Sequence, residues 1–314
     1  MRFIIDCDPG HDDALALMLA ATYLDVIGIT TVFGNTSVAN TTRNALALME
    51  AAHFDVPVYA GCAGPLTGPL VNAESVHGKS GLDGADFAAP NRSAEDTDAV
   101  TFIVESARQF DDLTVIAVGP LTNVATAINR APDIAGKVRE ISVMGGSTGH
   151  GNVTPAAEFN VYADPEAARD VFRSGASLRM AGLNVTSTFG IEATHIAQLR
   201  AHKGLVAREL GGALDFYLTR VGDLRRRNFA PVHDVCAVLP FTHPELIQHQ
   251  EMHVDVETQG EITRGMTVCD QRGRGASEET PADTQRGNEN CQVAISADTV
   301  PIQNLIVETL TTLP

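Results

Sequence analysis

Residues 3–13 read FIIDCDPGHDD, an apolar run followed closely by a Pro-Gly turn and four carboxylates. Residues 3–6 predict a buried strand, and residues 12–24 predict a helix with apolar residues nearly all round. The Pro9-Gly10 pair between them is a strong turn signal. Strand, tight turn and helix form the unit from which parallel sheets are built, so this stretch predicts an α/β fold that starts with a parallel strand.

The rest of the chain repeats that alternation. Further strands are predicted at residues 25–33, 56–60, 113–118, 140–144 and 177–181, with helices at 37–52 and 165–174. The second half is more helical over residues 191–239, followed by strand-like runs at 252–257 and 267–270 and a helix at 300–313. The order predicts an open, mostly parallel twisted sheet flanked by helices, in a single domain of residues 1–314.

Turn signals follow predicted strands at Pro9-Gly10, Gly34-Asn35, Gly119-Pro120 and Gly145-Gly146. In open α/β sheets the carboxyl ends of the strands are the edge where ligands bind. Residues 61–90 contain several Gly and Pro and predict a long loop over that edge. The polar, Gly-rich residues 271–290 predict an exposed loop.

The charge of the chain limits its partners. It carries 22 basic and 39 acidic residues, a net charge of −17. Such a surface repels nucleic-acid polymers and anionic membranes but tolerates small neutral substrates and attracts cations. No apolar run is long enough to span a membrane, and the first residues lack the features of a signal peptide. The five scattered cysteines are typical of reduced thiols, which predicts a cytoplasmic protein.

The acidic turn itself predicts a metal site. Asp6, Asp8, Asp12 and Asp13 lie together with no Lys or Arg among them. Helix capping is the alternative explanation, and it accounts for one or two of these residues. Four like charges at the end of a buried strand need neutralisation, and a hard divalent cation with oxygen ligands supplies it. A carboxylate in such a site can also take a proton from water.

The stretch from Asp6 to Ala14 closely resembles the DxDPGxDDA signature of the inosine-uridine-preferring nucleoside hydrolases. Other family motifs follow in the family's order: Gly34-Asn35, Val76-His77-Gly78, Gly119-Pro120-Leu121-Thr122-Asn123, Met144-Gly145-Gly146, Glu158-Phe159-Asn160, Asp164-Pro165-Glu166-Ala167 and His233-Asp234. The segment 258–270 is also similar to the family. The resemblance covers nearly the whole chain and implies the nucleoside hydrolase fold, with a Rossmann-like core.

The resemblance implies a Ca²⁺-dependent hydrolysis of the N-glycosidic bond of ribonucleosides. Asp8, Asp13 and Asp234 would be calcium ligands, together with the backbone carbonyl of Val118. The family often has Thr where this chain has Val118, but the ligand would be the backbone carbonyl, which does not depend on the side chain. Asp8 would also be the general base toward the attacking water.

The family similarity also implies a substrate site. Ribose contacts would come from Asp12, Asn35, Asn152, Glu158 and Asn160, with Met144 packed beside the sugar. His233 would be the acid that protonates the leaving base, with His77 as the second candidate, since histidine suits proton transfer near neutral pH. Tyr217 would cover the nucleobase. The partners implied are a small ribonucleoside and further copies of the chain, in a homotetramer or homodimer.

The sequence departs from the family before His233, where aromatic residues usually cover the nucleobase. Here Arg225, Arg226 and Arg227 stand in a row, either as a solvated turn or in contact with the base or a neighbouring subunit. The base preference therefore stays open. One rival function is an aspartate-nucleophile phosphatase, but that chemistry needs a Thr after the second Asp and a later Lys, whereas Pro-Gly follows Asp8 here and no suitable Lys follows a strand. The other rival is a non-catalytic ribose- or Ca²⁺-binding homologue.

Overall fold

The computed structural model describes residues 1–225, 228–272 and 288–314. Its strands are β1 Arg2–Cys7, β2 Asp25–Thr31, β3 Val58–Ala60, β4 Leu113–Ala117, β5 Glu140–Met144, β6 Leu178–Ala181, β7 Gly190–Glu192, β8 Phe229–Pro231, β9 Ile247–Met252, β10 Val254–Val256, β11 Thr267–Cys269 and β12 Cys291–Ala297. Among the described residues, eight of these strands form one sheet in the order β3-β2-β1-β4-β5-β6-β12-β9. Only β9 is antiparallel to its neighbour in that sheet, and β7-β8 and β10-β11 are small antiparallel pairs.

The helices fill the connections between the strands. They are α1 His11–Tyr23, α2 Val38–Ala51, α3 Glu74–His77, α4 Ala99–Gln109, α5 Thr122–Arg130, α6 Phe159–Ala163, α7 Pro165–Phe172, α8 Leu183–Thr186, α9 Ala193–Arg200, α10 Leu205–Arg225, α11 Val235–Thr242 and α12 Thr299–Thr312. Pro165 at the first turn of α7 and the Asp98 side chain that accepts from Thr101 N at the start of α4 are ordinary helix-start signals.

The helices cover both faces of the sheet, because the side chains of each strand alternate between them. Phe3, Ile5 and Cys7 of β1 belong to the apolar core on the face of α1, α10, α11 and α12. Ile4 of the same strand belongs to the core on the face of α4, α5 and α7. Helix α1 is buried from His11 to Ala20, which explains why it is apolar nearly all round.

The strand order changes direction at β1, whose neighbours are β2 on one side and β4 on the other. Helices that follow strands on the two sides of such a point leave a crevice at the carboxyl ends of the strands. The acidic turn directly after β1 lies at this place in the sheet. The topology therefore puts the carboxylates where a ligand can enter.

The predicted architecture is confirmed: the sheet is open, mostly parallel and flanked by helices. The predicted strand-like run at 252–257 contains β10, but β9, which ends at Met252, was not predicted, and the chain changes partner at His253 between the two strands. Before it β9 pairs with β12, and after it β10 pairs with β11. Strand β12 and the helices α4 and α5 were also not predicted from the sequence.

Other predictions concern the loops and the membrane. The predicted loop 61–90 contains the short helix α3, and the loop 271–290 lies mostly outside the described residues. In the part of the chain that the structure covers, no helix is both long and apolar enough to span a membrane. All five cysteines are free thiols.

Candidate active site

A cavity of about 260 Å³ opens at the carboxyl ends of β1, β4 and β5. Its volume suits a small molecule. All the residues that the sequence predicted for the site line it: Asp8, Asp12, Asp13, Asn35, His77, Val118, Met144, Asn152, Glu158, Asn160, Tyr217, His233 and Asp234. The fold thus brings residues 8 and 234 into one cavity from opposite ends of the chain.

The turn between β1 and α1 is held by the side chain of Asp13. Its Oδ1 accepts a hydrogen bond from Asp8 N at 3.0 Å, and its Oδ2 accepts from Gly10 N at 3.0 Å. The Asn35 side chain, from the loop after β2, donates through Nδ2 to Asp13 Oδ2 at 2.9 Å and to the Asp8 carbonyl at 3.0 Å. Asp13 therefore caps the helix and fixes the position of Asp8 at the same time.

The Asp8 carboxylate is buried at 1% exposure and held against the backbone of two loops. Its Oδ2 accepts from Asn35 N at 2.6 Å. A Cβ at Gly34 would lie 2.1 Å from Asp8 Oδ2, and a Cβ at Gly119 would lie 2.6 Å from Asp8 Oδ1. Glycine at these two positions is what allows the carboxylate to reach between the loops.

Asp234 joins the acidic turn from the start of α11. Carboxylate oxygens of Asp12, Asp13 and Asp234 lie within 4.8 Å of one another, and all three residues are buried. This close trio differs from the predicted ligand set, which had Asp8 rather than Asp12 beside Asp13 and Asp234. Asp8 lies beside this trio, close enough for the charge of Asp13 to raise its pKa, and its Oδ2 accepts a hydrogen bond from Asn35 N.

Burial of these acids raises their pKa values. Desolvation and the charge of Asp13 raise the pKa of Asp12 to about 8, and the same two causes raise the pKa of Asp8 well above its usual range. Burial and the charges of Asp12, Asp13 and Asp8 do the same for the pKa of Asp234. Carboxylates that repel one another in a water-poor site are a suitable donor set for a hard divalent cation, which would restore their charged forms.

Asp6 lies behind the cavity as a support. It is fully buried, and its Oδ1 accepts from Thr30 Oγ1 at 2.6 Å and Asn123 Nδ2 at 2.7 Å. Desolvation raises the pKa of Asp6 to about 7 despite these bonds. Asn123 also donates to the Thr31 carbonyl, so this network ties β1, β2 and the start of α5 together under the acidic turn.

The Val118 carbonyl, predicted as a metal ligand, accepts a hydrogen bond from Asn160 Nδ2 at 2.8 Å. The same amide donates to the Met144 carbonyl at 3.0 Å. A carbonyl oxygen has two lone pairs, so this bond leaves one for a cation. Asn160 therefore links the ends of β4 and β5, with its amide nitrogen used by the protein.

Glu158 and Asn152 come from the segment between β5 and α7. The Glu158 carboxylate caps α6 by accepting from Asn160 N and Val161 N, and it also accepts from Gly146 N at 2.9 Å. Burial raises its pKa. The Oδ1 of Asn152 is buried and has no hydrogen-bond partner among the described residues. A buried acceptor without a partner is costly, which marks it as a place for a ligand hydroxyl.

The two candidate acids are held by different neighbours. His233 Nδ1 lies 2.8 Å from Thr186 Oγ1 at the end of α8. His77, in α3, lies with its Nδ1 3.0 Å from His11 Nδ1, and its ring stacks on Tyr217 of α10 at 5.2 Å between centroids. His233 is next to Asp234 in the sequence, and His77 lies against the turn after β1 as well as on Tyr217.

Sequence reasoning did not find every residue of the cavity. Further lining residues are Val71, Asn72, Ala73, Ser75, Val76, Val153 and Phe159. Val76 and Phe159 lie inside motifs that were recognised, but residues 71–75 belong to the long loop, whose path has no local signal. Arg226 and Arg227 lie outside the described residues, and Arg225 is the last residue of α10.

Comparisons with known proteins agree with this geometry. Residues 3–303 match the family model described as inosine-uridine preferring nucleoside hydrolase. The chain is 41% identical to the pyrimidine-specific ribonucleoside hydrolase RihB of Escherichia coli over 275 residues. These residues make up 87% of this chain and 88% of RihB. The structure of this chain is similar to that of a purine-preferring ribonucleoside hydrolase from Gardnerella vaginalis, with a TM-score of 0.89 and 30% identity. The match covers 99% of this chain and 98% of the Gardnerella protein. A plant nucleoside hydrolase, PpNRh1, gives a TM-score of 0.90 at 32% identity, with the same coverage.

Proposed function

This chain belongs to the inosine-uridine preferring nucleoside hydrolase family and is a ribonucleoside hydrolase, and from that premise we propose that Asp8 is its general base and Ca²⁺ its metal. The observation that carries the proposal is the group of buried carboxylates after β1, which share one small cavity with two histidines. The reaction adds water to the ribose and releases the free base, as in other N-glycosyl hydrolases.

Asp8, Asp13 and Asp234, with the Val118 carbonyl, would hold the cation. When bound, Ca²⁺ would neutralise these carboxylates, lower the pKa of the attacking water and orient the water and the ribose hydroxyls. Asp8 would accept the proton of that water. Its carboxylate is fixed by Asn35 N and by the close fit between Gly34 and Gly119, which supplies the orientation that a base needs.

The ribose would lie against the amide and carboxylate oxygens of the cavity. The unpartnered Oδ1 of Asn152 is the clearest acceptor for a ribose hydroxyl. Asp12, Glu158 and the amides of Asn35 and Asn160 would add further contacts, and Met144 would pack beside the sugar. Positive charge builds on the ribose ring as the C1′–N bond breaks, and oxygens around the ring stabilise it.

The leaving base needs a proton, and His233 and His77 are the two groups able to give it. The aromatic side chains of Tyr217 and Phe159 line the cavity and offer flat apolar surface to a nucleobase. We assign pyrimidine ribonucleosides as the preferred substrates, because the pyrimidine-specific relative is 41% identical and the purine-preferring one 30%. Measuring kcat/KM for uridine, cytidine, inosine and adenosine tests this preference.

The test of the function is base release from these nucleosides with Ca²⁺ and after removal of metal with a chelator. We expect release only with the metal, with recovery when Ca²⁺ is added back. Asp8→Asn should lower kcat by at least ~10²-fold with an unchanged circular dichroism spectrum, since general bases contribute about 10²–10⁴ in rate. No release from any nucleoside with Ca²⁺ present would instead indicate the non-catalytic homologue, and near-normal turnover of Asp8→Asn would remove Asp8 as the base.

From the family resemblance we also propose that the chain forms a homotetramer or homodimer, and from its scattered cysteines that it is cytoplasmic. Sedimentation equilibrium of the purified protein measures its oligomeric state directly. A mass equal to one chain of 33.3 kDa would contradict the proposed oligomer.

A further inference from the structure

A buried amide in helix α2 joins the acidic turn to the segment that follows His77. Asn44 is 3% exposed and has no role in the proposed mechanism. Its Nδ2 donates to the Pro9 carbonyl at 3.0 Å and to the Ser80 carbonyl at 2.8 Å. The two protons of one amide nitrogen are thus divided between the Pro-Gly turn after β1 and residues 78–83, two parts of the chain that are distant in sequence.

The 78–83 segment is a compact turn attached to α2 and to the residues before that helix. The Lys79 carbonyl accepts from Thr36 Oγ1 and from Asn40 Nδ2, each at 3.1 Å. Within the segment, the Asp83 carboxylate accepts from Ser80 N at 3.0 Å. The segment is therefore a fixed body whose place relative to the acidic turn depends on contacts made from outside it.

The acidic turn is held in its own way. The Asp13 carboxylate accepts from two backbone N–H groups of the turn, and the Asn35 side chain donates to the Asp8 carbonyl. These bonds do not involve Asn44. Loss of the Asn44 amide should therefore leave the turn in place and release the segment that follows His77.

The packing around Gly81 shows how closely the segment lies against this junction. Its φ is +84°, and a Cβ there would lie 2.7 Å from Thr36 Cγ2, 3.3 Å from Asn44 Nδ2 and 3.4 Å from the Pro9 carbonyl oxygen. Glycine alone fits both the backbone conformation and the space. The contact between segment and turn is thus built into the residue types on both sides.

The His77 ring lies directly on the acidic turn, since a Cβ at Gly10 would be 2.6 Å from His77 Nδ1. The His77 carbonyl accepts from Asp83 N at 3.4 Å, which ties the residue to the segment. A shift of the segment therefore moves the ring, which lines the cavity, relative to the carboxylates.

We propose that Asn44 is a positioning residue that holds the 78–83 segment against the acidic turn and so sets the place of the His77 ring in the cavity. The inference rests on the proposed function and adds to it a residue that does not touch the cavity. Asn44 acts through His77 and not through the metal site, because the turn that carries Asp8 and Asp13 keeps its own hydrogen bonds.

Asn44→Leu tests this role, because leucine has a similar volume but donates no hydrogen bond. We expect kcat/KM for uridine to fall by ~10- to 100-fold, as for a misplaced reacting group. Asn40→Leu is the matched control: it lies one turn earlier in α2 and donates to Lys79 and Thr36 but not to the acidic turn. Its kcat/KM should stay within about 3-fold of wild type.

Gly81→Ala tests the same junction without removing the amide, and it serves also if Asn44→Leu does not fold. The new methyl group should push the segment away from Thr36 and the acidic turn, with a similar loss of kcat/KM. Gly68→Ala is its control, because Gly68 also has a positive φ, +88°, but a Cβ there meets no atom within 4 Å.

A double variant separates positioning through His77 from a general loss of structure. Asn44→Leu combined with His77→Gln should be no slower than His77→Gln alone, because the two residues act as one unit. The Ca²⁺ concentration that gives half-maximal activity should be unchanged in Asn44→Leu. Hydrogen exchange gives a readout besides activity: the amides of residues 78–83 should exchange ~10-fold faster in Asn44→Leu than in Asn40→Leu.

Four results would overturn the inference. They are normal turnover by both Asn44→Leu and Gly81→Ala, a loss that adds to that of His77→Gln, a matching loss of Ca²⁺ affinity, or unchanged exchange of the 78–83 amides. A wild-type protein that releases no base contradicts the proposed function instead, and hydrogen exchange still decides whether Asn44 holds the segment.

Discussion

The Asp8 carboxylate lies between two glycines, and neither position has room for a side chain. A methyl group at Gly119 would come within 2.6 Å of Asp8 Oδ1 and 2.8 Å of Val32 Cγ1. Since Asp8 Oδ2 is already held by Asn35 N, the carboxylate cannot turn away without losing that bond. The position of the proposed base therefore depends on Gly119 as much as on Asp8.

This dependence gives a prediction for Gly119→Ala. We expect kcat to fall by ~10²-fold, since a displacement of about 1 Å at a reacting group has that effect, while the fold stays intact. Gly136→Ala is the matched control, because a Cβ there meets no atom within 4 Å. Steady-state rates and thermal melting of both variants make the comparison. Equal rates for Gly119→Ala and the control would show that Asp8 adapts to the methyl group.

At the scale of elements, strand β11 supports the loop that follows β5. The Thr267 hydroxyl accepts from Ser147 N at 2.8 Å and donates to the Ser147 carbonyl at 2.7 Å. Both residues are buried at 3% exposure. The neighbouring Gly146 N–H donates to Glu158 Oε2. The small pair β10-β11, outside the main sheet, thus fixes the segment that carries Glu158 and Asn152 into the cavity.

We therefore predict that Thr267→Val lowers the free energy of unfolding by about 1–3 kcal/mol, because it leaves the buried Ser147 N–H without its partner. KM should rise as the segment with Asn152 and Glu158 loosens, and kcat should change less. Thr267→Ser should restore both quantities. Urea denaturation and steady-state kinetics measure the effect, and the exposed Thr219→Val serves as control. A Thr267→Val protein as stable as this control would show that the hydroxyl does not hold the loop.

In the molecule as a whole, part of the negative charge is buried, where charged groups destabilise the folded state. The chain has a net charge of −17, and four of its acids lie buried at the point where the sheet changes direction: Asp6, Asp8, Asp12 and Asp13. Asp234 adds a fifth from the far half of the chain. Without a cation, these residues lower the stability of the folded state at any pH at which they are charged.

The metal-free protein should therefore lose stability as the pH rises. Burial holds the pKa of Asp6 at about 7 and of Asp12 at about 8, against about 3.9 for aspartate in an unfolded chain. Between these values the folded state binds protons that the unfolded state releases, so the free energy of unfolding falls from about pH 4 to about pH 8. Ca²⁺ binds the deprotonated carboxylates, so its stabilising effect should grow over the same window.

Thermal melting at about pH 5.5 and about pH 8, with chelator and with excess Ca²⁺, measures this effect. The rise in Tm on adding Ca²⁺ should be larger at the higher pH. Asp13→Asn should remove most of that rise, and the exposed Asp55→Asn should not change it. An equal rise at both pH values would contradict the link between the metal and the buried acids.

The class of the fold, the acidic turn and the residues that line the site can be predicted from the sequence alone. Alternating strands and helices are a local pattern, and the family motifs are short runs of contiguous residues, so both can be read without coordinates. The same local pattern did not reveal the change of partner at His253, because which strand a segment pairs with depends on distant residues.

The way in which the site residues are held depends on the tertiary structure. Asp12 rather than Asp8 lies in the close trio with Asp13 and Asp234, and a backbone N–H from another loop holds Asp8 beside it. His11 lies within the acidic turn, but its side-chain partners are 66 and 72 residues away. Residue types and their order record what chemistry the chain can do. The orientation of each group follows from contacts between segments that the sequence keeps far apart.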